Sequence, residues 1–517
     1  MKDVKILWID DEIDLLKAQI IFLQQKGFAV DTAYNGDEAL DLIHSKNYDI
    51  IFLDENIPGM SGLEILDKIK VNFPVLPIVM ITKSEEENIM DQAIGGKIFD
   101  YLIKPVNPNQ IILTIKKIID SQRLVSENTT SKYQSVFTQL SMEINDCRSF
   151  SDWKDVYKKI IYWETELENL NDASIDEIIK MQKNEANTAF AKYITKNYKS
   201  WFDKNPDEKV INSSNIFKNK LFNLVENDKK VFVILIDNLR FDQWKTIQPE
   251  IRKYFYVDDE FIFSAILPTS TQYARNAMFA GLMPSEIKKL HQNLWLNDND
   301  EGGKNMHEKE LLQYQLKRLG KKTSIYYNKV MNNNDGKKII DNLNNILQNQ
   351  LSIVVFNFID MLSHARTEMR MIKELANDEK SYRALTSFWF KHSSLLELLK
   401  ELSDKKIKVV ITTDHGTINV KNPVKVVGLK DITTNLRYKQ GKSLNYNKKE
   451  VFEVTNPEEI YLPKANLSTT YIFARNDDFF AYPNNFNHYV KYYKNTFQHG
   501  GVSLEEMLIP FITLSPR

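Results

Sequence analysis

The stretch LSIVVFNFIDMLSHARTE, residues 351–368, sets an apolar run against an aspartate, Asp360, with a histidine, His364, four positions on. A short, continuous apolar run of this kind suits a strand covered on both faces in a parallel sheet. Two other runs share its form: KVFVILID, which ends at Asp237, and IKVVITTD, which ends at Asp414 and is followed directly by His415. The carboxyl edge of an open α/β sheet is where ligands bind, so three such acids point to a site.

The chain has only 8 histidines, and His499, in TFQHGG, is a third beside these signals. A histidine taken alone is more often a surface or a satisfied core residue. Together with strand-end carboxylates, neutral imidazoles suit Zn²⁺, and the spacing of Asp360 and His364 lets a turn after the strand bring both to one ion. Between the first two of these strands, FSAILPTSTQYARNAMFAGLMPSE runs from a strand through Pro268 into a helix at about Gln272. The hydroxyls of Thr269, Ser270 and Thr271 stand near the helix start, where backbone N–H groups favour phosphate. They are also good N-caps, and the two roles coexist.

Outward from this region, residues 206–517 read as an α/β domain, and residues 121–205 show helical spacing and read as a small bundle or linker. Residues 1–120 alternate strands such as VKILWID, YDIIFLD and PVLPIVMIT with helices, which predicts a doubly wound parallel sheet. Asp10, Asp11 and Asp54 sit at the carboxyl ends of two of its strands, and three converging carboxylates call for a hard cation such as Mg²⁺. Thr82 and Lys104, at the ends of two more strands, offer a hydroxyl and an ammonium to an added phosphoryl group.

This first segment resembles the receiver domain of two-component response regulators. The resemblance implies that Asp54 is the phosphoacceptor, that Asp10, Asp11, Asp54 and the carbonyl of Asn56 hold Mg²⁺, and that Thr82, Tyr101 and Lys104, followed by Pro105, form the switch. The order Asp…Thr…Asp-x-x-x-His…Asp-His…His is similar to that of the alkaline phosphatase superfamily. Carried over, one zinc falls to Asp237, Thr271, Asp414 and His415, and the other to Asp360, His364 and His499. Thr271 is the implied nucleophile because Gly281 follows it at the family's interval. Phosphodiesterases of that superfamily offer an Asn near the metals, and Asn293, in LHQNLWLND, is the candidate, although it also reads as an ordinary loop residue.

Receiver, helical middle and PglZ-type domain in this order resemble the PorX-type response regulators of type IX secretion systems. That resemblance implies a partner sensor histidine kinase, a homodimer formed on phosphorylation, and hydrolysis of oligonucleotide or cyclic-nucleotide diesters. It also implies contact with a secretion-machine membrane component or a sigma factor. The alternative is a phospho-switched adaptor in which zinc is structural; all seven zinc-site positions are filled, which favours an enzyme. A DNA-binding output is disfavoured because no helix-turn-helix with a basic recognition helix follows the receiver.

Composition sets the outer limits. The 68 basic and 69 acidic side chains leave a formal net charge of −1, so attraction to nucleic acid or membrane must be local. A single cysteine, Cys147, excludes an internal disulfide and fits a reducing compartment. No apolar stretch is long enough to span a bilayer, and a cytoplasmic location without membrane insertion is expected. One basic run, residues 421–449, interleaves Lys and Arg with Tyr438 and Tyr446, a mixture suited to tracking a nucleic-acid backbone.

Overall fold

The computed structural model describes residues 4–73, 76–83, 98–168, 173–228, 230–298, 300–368, 378–428, 433–464, 466 and 468–517. The chain divides into two compact units, Met1–Lys132 and Tyr133–Arg517. No helix among the described residues is long and apolar enough to cross a membrane.

The first unit is built on β1 (Lys5–Ile9), α1 (Lys17–Gln25), β2 (Ala29–Ala33), α2 (Gly36–Ser45), β3 (Ile50–Asp54), α3 (Gly62–Asn72), β4 (Ile78–Thr82), β5 (Asp100–Ile103) and the first part of α4 (Pro108–Asp146), a helix that continues past Lys132 into the second unit. Its five parallel strands run in the order β2-β1-β3-β4-β5. Side chains alternate across a strand, so Ile6, Trp8, Ile50 and Phe52 meet Leu23 of α1 and Ile111, Ile115 and Ile118 of α4 on one face. Leu7, Ile9, Ile51 and Leu53 meet Ala39 and Ile43 of α2 and Ile65 and Ile69 of α3 on the other. Helix starts are sealed locally: Asn35 accepts from the Glu38 amide, and Ser61 and Glu64 form a capping box.

The second unit opens with α5 (Phe150–Glu168) and α6 (Ala173–Asn197), then β6 (Val231–Ile236), α7 (Phe241–Ile251), β7 (Phe255–Ser264), α8 (Thr271–Ala280), β8 (Ile325–Val330), β9 (Leu351–Phe356), α9 (Phe358–Glu368), α10 (Glu379–His392) and β10 (Lys408–Thr412). A lobe of short strands follows, β11 (Ile418–Asn419), β12 (Asn422–Lys425), β13 (Tyr438–Gly441), β14 (Val451–Val454), β15 (Thr470–Ala474) and β16 (Asp478–Ala481), then α11 (Phe486–Tyr493), β17 (Phe497–Gln498) and β18 (Leu508–Pro516). The main sheet has the order β7-β18-β10-β6-β9-β8, parallel from β10 to β8, with β18 antiparallel to β10 and β7. The three apolar runs that end in aspartate are therefore its adjacent central strands.

Helices α5 and α6 share the core of this sheet: Trp153, Tyr157, Ile160, Phe190 and Ile194 belong to one buried cluster with Phe232, Leu235 and Phe241. A buried ion-pair network adds to that contact. Arg383 of α10, 4% exposed, reaches Glu164 (3.0 Å) and Glu168 (2.8 Å) of α5 and Asp242 (2.9 Å) of α7. Replacing Arg383 with Met removes the cation shared by the three acids; Asp242 keeps Arg240 and Glu164 keeps Lys183, while Glu168 loses both of its hydrogen bonds to the guanidinium. The second unit's urea-unfolding transition is expected to lose about 3–5 kcal/mol. Arg383→Lys, a point charge without a planar fork, is expected to recover only part of that loss.

Candidate metal centres

Because β1 and β3 are parallel neighbours, the residues at their carboxyl ends stand side by side. The carboxylates of Asp10, Asp11 and Asp54 lie within 4.8 Å of one another, with Asp10 and Asp54 buried and Asp11 exposed. Lys104, just past β5, joins them at 2.9 Å from Asp10 and 3.0 Å from Asp54. Burial raises the Asp54 carboxyl above its ordinary value against the pull of the Lys104 hydrogen bond. For Lys104, burial works against the charged form, but the hydrogen bonds from its ammonium to Asp10 and Asp54 outweigh it and hold the group above its usual value. One ammonium among three carboxylates leaves an excess of negative oxygen, a donor set that fits a hard divalent ion. Thr82, at the end of β4, donates its hydroxyl to the Glu55 side chain. Tyr101, on β5, is 38% exposed, and Asn56 is an exposed residue two positions past Asp54.

In the second unit, β10, β6 and β9 present their carboxyl ends together. Asp237 follows β6 directly, and Asp414 stands two residues after β10, with His415 next. Asp360 and His364 lie one turn apart on α9 rather than on a post-strand turn, with 3.6 Å between carboxylate and imidazole. His499 follows β17, whose pairing with β11 ties its loop to the chain leaving His415. Two ligand sets result, Asp237, Asp414 and His415, and Asp360, His364 and His499; within each, the ligand atoms lie within 4.8 Å. The sets adjoin: the rings of His415 and His499 stack at 4.3 Å.

Two of the three imidazoles, those of His415 and His499, are oriented as metal ligands need to be. Nδ1 of His415 is 3.2 Å from the Gly416 carbonyl and Nδ1 of His499 is 3.1 Å from that of Thr269. Nε2 is thereby left on the carboxylate side, 3.9 Å from Asp237 for His415 and 3.7 Å from Asp360 for His499. Carbonyl anchoring of the far nitrogen fixes the tautomer that binds a metal. Burial, then the neighbouring His415 and His364, pushes His499 well below its ordinary value, towards the neutral ligand form. Burial raises Asp237 well above the usual carboxylate range, with Arg275 opposing. At Asp414 burial also favours the neutral acid, but Arg275 and His415 outweigh it and lower the carboxyl to about 2. This set of imidazoles and carboxylates fits zinc.

The three hydroxyls of the Thr-Ser-Thr turn have different surroundings. Thr269 donates to the Gly501 carbonyl at 3.0 Å, and Ser270 is the buried residue preceding α8. Thr271, the first residue of α8, has Oγ 3.1 Å from His415 Nε2. Gly281 closes that helix in the left-handed region (φ +59), where a Cβ would strike the Gln315 side chain.

Asn293 is not brought into this cluster. It lies exposed on a short turn, Gln292–Leu294, with no hydrogen bond to the six ligands among the described residues. Distance along the chain after Thr271 did not fix where that segment goes. The amide beside the ligands is Asn238, fully buried at φ +66, which donates to Asp360 (3.4 Å) and Ser363 (3.2 Å). Arg275, one turn after Thr271 on α8, is the other residue the sequence reading missed. It pairs with Asp414 at 3.0 Å and with Asp237, and sits 3.8 Å from Glu308, which Lys329 holds at 2.7 Å. The i, i+4 spacing of Thr271 and Arg275 was the available signal.

Among the described residues of the basic run over 421–449, several of the basic and aromatic side chains are taken up by contacts within the fold. Arg437 is buried against Glu506, Lys439 is buried, Tyr438 contacts Asp298, and Tyr446 donates to Glu453.

An acidic pocket with a conjugate lysine in one unit and paired Asp/His sets with a threonine in the other define a response regulator with an alkaline-phosphatase-like effector. Family models match accordingly: a response regulator receiver domain over residues 6–116, a PorX response regulator linker domain over 123–202, and a BREX system PglZ alkaline phosphatase-like domain over 216–514. The chain belongs to the PglZ alkaline-phosphatase-like family, in the PorX-type arrangement of receiver, linker and effector. The transcriptional regulatory protein ResD of Bacillus subtilis (strain 168) is 32% identical over 157 residues, 30% of this chain and 65% of ResD, so less than two thirds of that relative is spanned. SrrA of Staphylococcus aureus (strain NCTC 8325 / PS 47) is 29% identical over 167 residues, 31% of this chain and 69% of SrrA. Among solved structures, a CheY-like receiver domain protein from Methanospirillum hungatei JF-1 is 27% identical, covering 23% of this chain and 96% of its own, with a TM-score of 0.23.

Separate ligand sets predict separable losses. If zinc fills both sets, His364→Ala and His415→Ala should each lower it by about one ion per chain, because each removes an imidazole from one set and leaves the other set whole. Elemental analysis after dialysis against a weak chelator measures this. A loss of both ions in each variant would instead indicate one shared site.

Proposed function

We propose that the chain is a phosphorylation-controlled response regulator whose effector domain is a two-zinc phosphodiesterase, acting through Thr271 on oligonucleotides or cyclic nucleotides. The observation that carries this reading is the placement of Thr271 Oγ at the start of α8, 3.1 Å from His415 Nε2 and beside two Asp/His sets. Asp237, Thr271, Asp414 and His415 would hold one zinc, and Asp360, His364 and His499 the other. When bound, such a pair supplies positive charge to the attacking and leaving oxygens of an in-line displacement.

The rest is the work of the chain's own groups. The helix start beneath Thr271 favours the phosphate oxygens. Thr271 Oγ loses its proton to solvent and bonds to phosphorus as the ester P–O bond opposite it breaks; the departing alkoxide takes a proton from water. Water then attacks the phospho-threonine, leaving its hydroxyl on phosphorus and a proton on Thr271 Oγ. Asn238, hydrogen-bonded to Asp360, would be the Asn near the metals for which Asn293 was the candidate.

In the first unit, Asp54 would accept a phosphoryl group from a sensor histidine kinase. Mg²⁺ would lie among Asp10, Asp11, Asp54 and the Asn56 carbonyl, with Lys104 pairing the phosphoryl and Thr82 and Tyr101 responding. Adding about two negative charges there would draw Thr82 and Lys104 inward and alter the receiver's outer face, favouring a homodimer. The PorX-type arrangement supports a cytoplasmic protein controlling type IX secretion through a secretion-machine component or a sigma factor.

Two measurements test this. Thr271→Val should slow hydrolysis of bis(4-nitrophenyl) phosphate about 10³-fold, while the wild type prefers that diester to 4-nitrophenyl phosphate. Zinc bound with both substrates inert would make the protein a switched adaptor. Separately, acetyl phosphate with Mg²⁺ should shift the wild type from monomer to dimer in light scattering and leave Asp54→Ala monomeric; equal dimerisation of the two would remove the receiver from control.

A further inference from the structure

Residues 479–504, which lead into and past His499, contain no acidic side chain. The same run is dense in aromatic and basic groups, concentrated on α11: Phe486, His488, Tyr489, Lys491, Tyr492 and Tyr493, with Lys494 next. No residue of α11 is fully buried; Phe486, Tyr489, Val490 and Tyr493 are partly buried against Ile418, Val420 and Phe479, which leaves His488, Lys491, Tyr492 and Lys494 exposed. Tyr492 is 42% exposed, and its ring lies nearly parallel to that of His488 (14°, centroids 6.4 Å apart). Tyr489 and Tyr493 repeat the arrangement at 10° and 6.2 Å. Lys425, brought in by the pairing of β12 with β16, places its ammonium 4.9 Å from the Phe486 ring. The nearest acid along the chain, Asp478, is mostly buried, and Asp477 before it pairs with Lys421 at 3.4 Å.

This surface is joined to the metal centre. The Asn495 amide donates to the Val420 carbonyl at 2.7 Å and the Val420 amide to that of Thr496 at 2.9 Å. β17 then pairs with β11, the strand that follows His415. Tyr492 stands seven positions before His499, a span of at most about 25 Å.

We infer that α11 and Lys425 form a platform on which unstacked bases of a single-stranded nucleic acid lie against Tyr492 and His488 while Lys425, Lys491 and Lys494 neutralise its phosphates. Aromatic faces between cations are what sequence-tolerant binding of single strands requires. The platform lies outside both ligand sets and rests on the phosphodiesterase reading for its purpose: it holds a strand whose diester reaches Thr271.

Anisotropy of a fluorescein-labelled oligothymidylate, titrated with full-length zinc-loaded protein carrying Thr271→Val to prevent turnover, tests it. Adding Tyr492→Ala is expected to weaken binding about tenfold, and Tyr492→Phe to restore it. Lys491→Glu should weaken binding and flatten its salt dependence by about one phosphate contact. On the Thr271 background the same substitutions should leave bis(4-nitrophenyl) phosphate hydrolysis within about twofold of wild type, since that probe is too small to reach α11. Unchanged affinity in Tyr492→Ala overturns the platform, as does displacement of the strand by polyglutamate at equal charge concentration, which would mark the surface as a dock for an acidic peptide. If the diester probe is cut but no oligothymidylate binds, the platform falls and the phosphodiesterase stands. If the strand is held through Tyr492 but no diester is cut, the phosphodiesterase falls and the platform stands.

Discussion

Carboxylates brought together away from water repel one another, and both units are arranged around that constraint. Asp237 and Asp414 converge from the ends of β6 and β10 and Asp360 from the first turn of α9, and Asp10 and Asp54 converge from two strand ends. At low dielectric such groupings are costly unless positive charge lies among them. Each unit meets the cost in the same way, with a buried or half-buried cation carried in from another element. Lys104 spans Asp10 and Asp54 in the first, and Arg275 spans Asp237 and Asp414 in the second. A single organic cation does not balance three carboxylates in either place, and the remaining excess of donor oxygen and nitrogen is what makes both clusters competent to hold a metal.

The strands and their terminal acids were legible because each is a local pattern: an apolar run, then a carboxylate. Parallel pairing of β10, β6 and β9 then does the gathering, so three distant aspartates meet without any special loop. Arg275 was not legible, since an arginine on a short helix ordinarily reads as a solvated residue and its complete burial is a property of the assembled sheet. Asn238 was hidden for a different reason: an asparagine after a strand reads as a turn former, and its positive φ agrees with that, yet its amide bridges towards Asp360. Asn293, Tyr438 and Tyr446 show the converse error, where the right residue type at a suitable distance along the chain was carried elsewhere by tertiary contacts. Basic composition over 421–449 likewise concealed that Arg437 and Lys439 point inward.

The helical middle looked separable because its own spacing is amphipathic and ordinary. Its contacts are not. On α6, Asn187 accepts from the Leu504 amide and donates to Glu505, and Lys183 pairs with that same glutamate at 3.1 Å. The neighbouring Glu506 accepts from the Gly501 amide and pairs with Arg437, while Thr269, whose hydroxyl bonds Gly501, offers its carbonyl to His499. One side of the loop that carries a metal ligand is thus fixed by residues of a helix from the middle of the chain.

That shared wall limits how such a protein can be taken apart in evolution. A gene fusion that changes the chain upstream of Tyr133 keeps α5 and α6 with the sheet they pack against. A fusion that grafts the effector alone onto a new sensor strips Glu505 of its lysine and amide and exposes the apolar side against which Trp153 and Phe190 pack. The helices and the metal domain would accordingly be inherited as one piece.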